Sequence, residues 1–103
     1  PVTLTFGASD TVKSLTLNGN CLLHMLKIVV PNWTNVVTMS LAITDPDGDI
    51  IYESPDAMAR DTSVKLTNLK DYVPIWGECT FTFTLSGVPG GTGGDVIATA
   101  YCI

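Results

Sequence analysis

The C-terminal part of the chain alternates large apolar and small polar residues with a period of two. Phe81, Phe83 and Leu85 alternate with threonines, which places the three large side chains on one face of a β-strand. The segment 96–103 alternates as well, with Val96, Ala98, Ala100 and Cys102 on one face and Ile97, Thr99, Tyr101 and Ile103 on the other. Between the two segments, the sequence GVPGGTGGD predicts a loop, because its glycines and its proline are unfavourable in regular strand pairing.

We expect these two strands to pair as a hairpin, in the register that is symmetric about the loop. Phe83 would then face Ala98 and Phe81 would face Ala100, so large residues lie opposite small ones on a buried face. The other face carries three more large side chains: Ile97, Tyr101 and Ile103. Either a second layer or the chain end covers these three, or they form a contact patch for another subunit.

Further alternating or continuous apolar segments predict strands over residues 2–6, 12–17, 21–30, 36–44, 50–53 and 63–69. Asn18-Gly19-Asn20 predicts a tight turn between two of them, and Asp45-Pro46-Asp47-Gly48 predicts another. Residues 54–60 resemble one helical turn, and residues 70–77 are interpreted as a connection before the last hairpin.

Seven to eight short strands separated by turns predict an all-β fold, an antiparallel two-sheet sandwich of jelly-roll or immunoglobulin-like topology. The length of 103 residues fits a single domain that spans residues 1–103. The sequence contains neither an internal repeat nor the strand–helix–strand rhythm of a parallel sheet.

The charge balance excludes several classes of partner. Ten Asp and Glu residues against five Lys and Arg give a net charge of −5, and no basic stripe is present, so we expect no nucleic-acid partner. The apolar run 21–30 contains His24 and Lys27 and is too short to span a bilayer. No signal peptide is visible, and we therefore expect no membrane partner.

The reactive side chains do not form a catalytic motif. His24 is the only histidine, and no serine, cysteine or carboxylate motif accompanies it, so a structural role is favoured. Three cysteines match neither a metal-binding spacing nor a secreted disulfide framework, which predicts reduced thiols. The hairpin register would allow one bridge, between Cys79 and Cys102. We predict no enzymatic activity and no cofactor.

Three carboxylates, those of Asp45, Asp47 and Asp49, crowd the DPDG turn and raise the hypothesis of a calcium site. Calcium takes about six to eight oxygen ligands, and an EF-hand loop also needs a distal Glu that is missing here. A plain hairpin turn is therefore favoured, and we predict no metal site. Asp45, Asp47 and Asp49 are weak candidates for metal binding.

Trp33 lies in the turn PNWTN, where it would either cap the end of the core or project as an anchor for a partner. Together with three other aromatic residues it also raises an alternative function, because aromatic faces stack on sugar rings: Trp33, Tyr52, Tyr72 and Trp76. In that alternative, the sandwich is a module that binds carbohydrate or a cell surface.

Two segments, VVTMSLAITDPDGDIIYES and GECTFTFTLSG, resemble parts of the jelly-roll accessory domains of secreted proteases. The whole chain, with its terminal segment SGVPGGTGGDVIATAYCI, more closely resembles small β-sandwich virion proteins of tailed bacteriophages. This second resemblance rests on turn placement and on a threonine-, valine- and glycine-rich, acidic composition.

The phage resemblance implies a non-enzymatic capsid decoration (cement) protein or a tail or neck accessory protein. Such a protein would be assembled in the host cytoplasm and be present in the virion in many symmetric copies. Its partners would be further copies of itself, the major capsid protein or tail proteins. On the hairpin interpretation, the contacts would involve an outward apolar face and a turn: Trp33, Ile97, Tyr101 and Ile103.

Overall fold

The computed structural model describes residues 2–54, 58–66 and 73–102, with the side chains in these ranges except those of Val2, His24, residues 64–66, Val73 and Cys102. Seven strands run through this part of the chain: β1 (Val2–Phe6), β2 (Val12–Val30), β3 (Met39–Thr44), β4 (Ile50–Glu53), β5 (Thr62–Leu66), β6 (Val73–Leu85) and β7 (Gly94–Cys102). All strand pairs are antiparallel. The prediction of an all-β fold is confirmed.

The long strand β2 belongs to both layers of the sandwich. Residues 12–23 of β2 pair with β6, residues 23–29 pair with β7, and the two ladders meet on opposite edges of Leu23. The first sheet therefore consists of the N-terminal half of β2 with β6, β3 and β4. The second sheet consists of β5, the C-terminal half of β2, β7 and β1. This arrangement is the predicted antiparallel two-sheet sandwich.

The inner faces of the two sheets share one hydrophobic core. The first sheet contributes the buried side chains of Met39, Leu41, Ile43, Ile75, Cys79, Phe81, Phe83 and Leu85. The second sheet contributes those of Phe6, Leu23, Leu26, Ile28, Val30, Val96 and Ala98. The predicted burial of Phe81 and Phe83 is confirmed, and burial of each such ring stabilises the fold by roughly 1.5–3 kcal/mol.

Trp33 closes one end of this core. Its side chain is 1% exposed, and its ring meets that of Phe6 edge-on, with 5.5 Å between centroids and 74° between planes. Arg60 Nη1 donates a hydrogen bond to the Trp33 carbonyl at 2.8 Å and so ties the turn to the chain before β5. Trp33 thus has the position of a cap, and it does not project from the surface as an anchor.

The predicted hairpin between the last two strands is wrong. β6 pairs with β2 and β3, whereas β7 pairs with β1 and β2, so the two strands lie in different sheets. Phe83 pairs with Lys13 on β2 and Leu41 on β3, and Ala98 pairs with Val2 on β1 and Ile28 on β2. The alternation assigned the inward faces correctly, but large and small residues of these strands meet across the core and do not pair within one sheet.

The prediction that all three cysteines are reduced thiols is wrong, although Cys79 is one. Cys79 is a buried free thiol, so it forms no bridge with Cys102. Cys21 is disulfide-bonded, which contradicts the expectation that all thiols are reduced. The physical reason is the strand pairing: β7 ends beside Leu23 of β2, and Cys79 pairs with Leu17 elsewhere on that strand. The side chain of Cys102 lies outside the described part of the structure.

Two element boundaries differ from the sequence-based expectation. Asn18-Gly19-Asn20 forms no turn, because β2 continues through it and pairs residue by residue with Glu78, Gly77 and Trp76. The segment from Val73 to Gly77, predicted as a connection, belongs to β6 for the same reason. Twelve consecutive pairs between β2 and β6 outweigh the local preference of an Asn-Gly sequence for a turn.

Other predictions fall partly outside the described residues. Residues 55–57 of the predicted helical turn, residues 67–69 of the predicted sixth strand and residues 70–72 of the predicted connection lie there. Ser54, the first residue of the predicted helical turn, accepts a hydrogen bond from the backbone N–H of Leu41 at 3.0 Å. β3 begins at Met39 and not at residue 36, because the preceding residues form loop contacts with the segment 86–89.

Candidate interaction surface

Ile97 and Tyr101, two of the predicted contact residues, lie on the outer face of β7. Val96 and Ala98 point into the core, and the alternation of the strand therefore turns Ile97 and Tyr101 toward solvent. Their exposed fractions are 39% and 38%, so both keep a large apolar area in contact with water. This exposure agrees with the outward face that the sequence assigns to them.

β2 places two further apolar side chains beside this pair. Val29 pairs with Ile97, and Met25 pairs with Tyr101. Residues directly opposite each other in an antiparallel pair share a face, with Cβ atoms about 4.5–5.5 Å apart. Met25 and Val29 are each half-buried. We call these four residues, Met25, Val29, Ile97 and Tyr101, the apolar stripe.

Polar groups interrupt and flank the apolar stripe. Lys27 pairs with Thr99 between its two apolar rows, and Thr3 of β1 pairs with Ile97 at its side. The surface therefore offers apolar area together with hydroxyl and ammonium donors. Protein–protein contacts combine apolar area with hydrogen bonds, and this surface offers both, with the Lys27–Thr99 pair between the apolar rows and Thr3 at their side.

The outer face of the first sheet has a different chemistry. It carries hydroxyl groups from Ser14, Thr16, Ser40, Thr44, Thr80, Thr82 and Thr84. It also exposes the apolar side chains of Val12, Leu22 and Trp76. Ser14 Oγ and Thr82 Oγ1 lie 3.4 Å apart across the β2–β6 pair, and Thr44 donates to the carbonyl of Thr80 at 3.4 Å. The outer face of the first sheet thus carries more hydroxyl groups, whereas the apolar stripe places four apolar side chains in two facing pairs on the second sheet.

Sequence reasoning did not assign Met25 and Val29 to this surface. They lie in the nearly continuous apolar run 21–30, which predicts burial on both faces of the strand. The signal that identifies them is Lys27, which lies between them on the same face and is paired with Thr99. Lys27 alone does not show which residues of β7 lie beside it, because that depends on the register of the β2–β7 pairing.

The other two predicted contact residues are not part of the described stripe. Trp33 is buried at the end of the core, 1% exposed, and its indole is therefore not available on the surface of this chain. Ile103 lies outside the described residues. Of the four predicted residues, the structure brings together Ile97 and Tyr101.

One carboxylate of the DPDG turn, that of Asp45, forms hydrogen bonds within the turn. Asp45 Oδ1 accepts the backbone N–H groups of Asp47 at 3.0 Å and Asp49 at 2.9 Å, which fixes the chain reversal before β4. Within the described ranges, no group of three or more His, Cys, Asp or Glu side chains is placed to hold a metal ion. The arrangement is that of the plain hairpin turn.

A second aspartate has a structural role before β2. Asp10 Oδ2 accepts the backbone N–H of Gly7 at 2.8 Å and lies 3.5 Å from Lys13 Nζ. The hydrogen bond from Gly7 is the main cause that lowers the pKa of Asp10, and the Lys13 ammonium acts in the same direction. Both contacts favour the ionised carboxylate.

The nucleophilic side chains of the described chain are engaged in structure. The thiol of Cys79 is buried and lies 3.5 Å from the carbonyl oxygen of Trp76, toward which it donates a weak hydrogen bond. Cys21 is disulfide-bonded. The side chain of His24 lies outside the described part of the structure, so no geometry can be assigned to it.

The four aromatic residues of the carbohydrate alternative do not share one surface. Trp33 is buried, whereas Trp76 is 43% exposed and pairs with Asn20. Tyr52 is half-buried, and this burial raises the pKa of its phenol. Tyr72 lies outside the described residues. Trp76 is therefore the one described aromatic of this set with a well-exposed ring.

Over the described ranges, no helix is long and apolar enough to cross a membrane. No protein-family model matches the chain, and no curated protein matches it either.

Solved structures that match include a chain from the structure of the Gx strain of infectious bursal disease virus. The two chains are 12% identical, and the match covers 96% of the present chain and 31% of the viral one, with a TM-score of 0.32. The chain thus spans about a third of the length of the matched chain. At this TM-score and identity, the similarity does not carry a functional argument.

Proposed function

We propose that this chain is a non-enzymatic structural protein of a virus particle that binds neighbouring subunits through the apolar stripe. The observation that carries the proposal is the pairing of Ile97 with Val29 and of Tyr101 with Met25 on the outer face of the second sheet. Covering such apolar surface stabilises a contact by roughly 25 cal/mol per Å². Tyrosine is also enriched at the energetic centres of protein interfaces.

The virion setting comes from the sequence resemblance to small β-sandwich proteins of tailed bacteriophages. In that setting the chain is a capsid decoration protein or a tail or neck accessory protein, and its partners are major capsid or tail subunits, further copies of itself, or both. The use of Asp45, Asp10 and Cys79 in structural hydrogen bonds supports a role without catalysis.

The location is tested by mass spectrometry of purified particles of the virus that encodes the chain. We expect peptides of this protein in amounts that correspond to many copies per particle. Particles that lack it, while the infected cell contains it, would contradict the proposal.

The role of the stripe is tested with a matched pair of substitutions. Ile97→Glu places a charge on the stripe, and Ile50→Glu places the same charge on β4, where Ile50 is 58% exposed. We expect Ile97→Glu to weaken binding to shells or tails by about tenfold or more, and Ile50→Glu to change it little. Equal effects of the two variants, or a wild-type monomer without affinity for either particle, would refute the stripe as a contact surface.

A second candidate function, carbohydrate binding, is favoured by one observation: Trp76 is exposed on β6 opposite the amide side chain of Asn20. An indole beside a hydrogen-bonding amide is suited to a sugar ring. Titration with a panel of cell-surface glycans should then change the tryptophan fluorescence of the wild-type chain but not that of Trp76→Ala. An unchanged signal in the wild type would dismiss this candidate.

A further inference from the structure

One edge of β2 has no strand beside it over half of its length. Residues 12–23 pair with β6 on one edge, while the pairing with β7 on the opposite edge begins at Leu23. No described strand pairs with that opposite edge over residues 12–20, and the disulfide-bonded Cys21 lies just beyond this stretch. Every second residue of this segment therefore directs its backbone N–H and C=O groups outward. We call this stretch the free edge of β2.

Beyond its first two residues, the free edge lacks the features that usually protect an edge strand. Lysine, proline and inward-pointing charges normally block the addition of a further strand. Between Ser14 and Asn20 the sequence is SLTLNGN, which contains neither a charged residue nor a proline. The one lysine of the segment, Lys13, lies at its beginning and forms an ion pair with Asp10.

An apolar recess opens between the sheets alongside this edge. Its volume is about 50 Å³. Its lining comes from β2, β6 and the last part of β7: Leu15, Leu17, Leu26, Phe81, Ala98 and Ala100. Leu15 and Leu17 belong to the free edge itself, and both are only half-buried. A strand added to the edge would cover this recess and direct every second side chain toward it.

We propose that the free edge of β2 binds an extended segment of another protein, which adds as a strand and places apolar side chains in the recess. The backbone groups of the edge require an extended chain, and the carbon-lined recess requires an apolar residue at alternate positions. The net charge of −5 disfavours a second copy of this acidic chain, because like-charged molecules repel, and favours a neutral or basic segment.

This inference does not rest on the apolar stripe. The stripe lies on the outer face of the second sheet, whereas the free edge and the recess lie at the opening between the sheets. If Ile97→Glu does not weaken particle binding, the strand-addition proposal still stands. If the strand-addition assay is negative, the proposal for the apolar stripe still stands.

The test uses the 103-residue chain and a synthetic probe, the peptide Lys-Thr-Val-Thr-Val-Thr-Val-Thr-Lys with blocked ends. In the free protein, amide hydrogen exchange over residues 14–20 should alternate between slow amides, bonded to β6, and fast ones. The peptide should slow the fast set by about tenfold or more, because strand addition gives those amides acceptors. A control peptide with serine in place of every valine should bind more weakly, because it cannot fill the recess.

Neighbouring substitutions on β2 form the matched control. Leu17→Lys places a charge at the mouth of the recess and should weaken peptide binding by about tenfold or more, whereas Thr16→Lys, on the outer face, should change it less than about twofold. Ala100→Leu fills the recess without a charge and should also weaken binding, which keeps the test valid if Leu17→Lys does not fold.

The proposal fails if the peptide leaves the fast amides of β2 unprotected, or if Leu17→Lys and Thr16→Lys bind it equally. It also fails if the chain alone forms a dimer in which the same amides become protected with rising concentration, since the occupant would then be a second copy.

Discussion

At the scale of single residues, Gly93 shows most directly how closely the loop between β6 and β7 approaches β1. Its φ is +73°, and a Cβ atom at this position would overlap the carbonyl oxygen of Phe6. Gly93→Ala therefore combines a strained backbone with a clash against main chain. We expect it to lower the free energy of unfolding by more than about 3 kcal/mol, measured by urea denaturation.

Gly48 provides the matched control. It also has a positive φ, +88°, but a Cβ atom there would meet nothing within 4 Å. Gly48→Ala should cost only the backbone term, about 1–2 kcal/mol. Equal losses in the two variants would show that the close approach of the loop to Phe6 is wrong.

Asp10 makes the acid stability of the fold dependent on one carboxylate. Its pKa is lowered in the folded state, mainly by the hydrogen bond from Gly7. The stabilisation is therefore present above the ordinary aspartate value of 3.8 and is lost as pH falls through the lower folded pKa. We expect Asp10→Asn to make the acid limb of the stability–pH curve shallower in urea titrations from neutral pH to about pH 2.

The exposed ion pair supplies the control for this prediction. Lys13 and Asp10 side chains are each 41% exposed, so solvent screens their attraction. Lys13→Met should alter the acid limb less than Asp10→Asn does. The reverse order would mean that the ammonium, and not the Gly7 amide, dominates the pKa of Asp10.

At the scale of elements, β2 crosses a sequence that favours a turn, and two opposite glycines test this. A Cβ atom added at Gly19 would meet nothing within 4 Å. Its pair partner Gly77 has a φ of +61°, and a Cβ atom added there would lie 3.2 Å from Pro46 Cγ. Gly19→Thr should raise the free energy of unfolding by about 0.5–1 kcal/mol, because threonine favours strands. Gly77→Thr should lower it.

The melting temperatures of the two threonine variants, compared with the wild type, check this prediction. If residues 18–20 formed the turn that the Asn-Gly sequence favours, Gly19→Thr would lower the melting temperature instead. A loss of stability in both variants would therefore contradict a continuous β2.

The alternation of side chains was sufficient to predict which faces are buried, but not which strands pair. The inward positions of Phe81, Phe83 and Val96 follow from local periodicity, which does not depend on the neighbour. The partner of a strand depends on long-range contacts, and both β6 and β7 pair with β2 rather than with each other. Because the sequence does not predict the pairing of β2 with β7, it also does not show that Met25 and Val29 belong to the candidate surface.

At the scale of the complete fold, the two halves of the shared strand β2 carry two different candidate surfaces. Its C-terminal half carries Met25 and Val29 of the apolar stripe, and its N-terminal half carries the free edge. The two candidate surfaces thus face different directions on one strand. A body of this kind is suited to contact two different neighbours at once, as a subunit at a junction in an assembly does.

Because both sheets share β2 and one core, we expect residues 1–103 to unfold as a single domain. Leu41→Ala in the first sheet and Ile28→Ala in the second each remove a buried side chain and should cost about 2–5 kcal/mol. In a Trp76→Phe background, the fluorescence of Trp33 reports on one end of the core, and circular dichroism reports on all strands. In each variant, both signals should report a single urea transition with the same midpoint, at a lower urea concentration than in the wild type. Two transitions, with Trp33 fluorescence responding only to Ile28→Ala, would show that the second sheet unfolds separately, and β2 would then not couple the two layers.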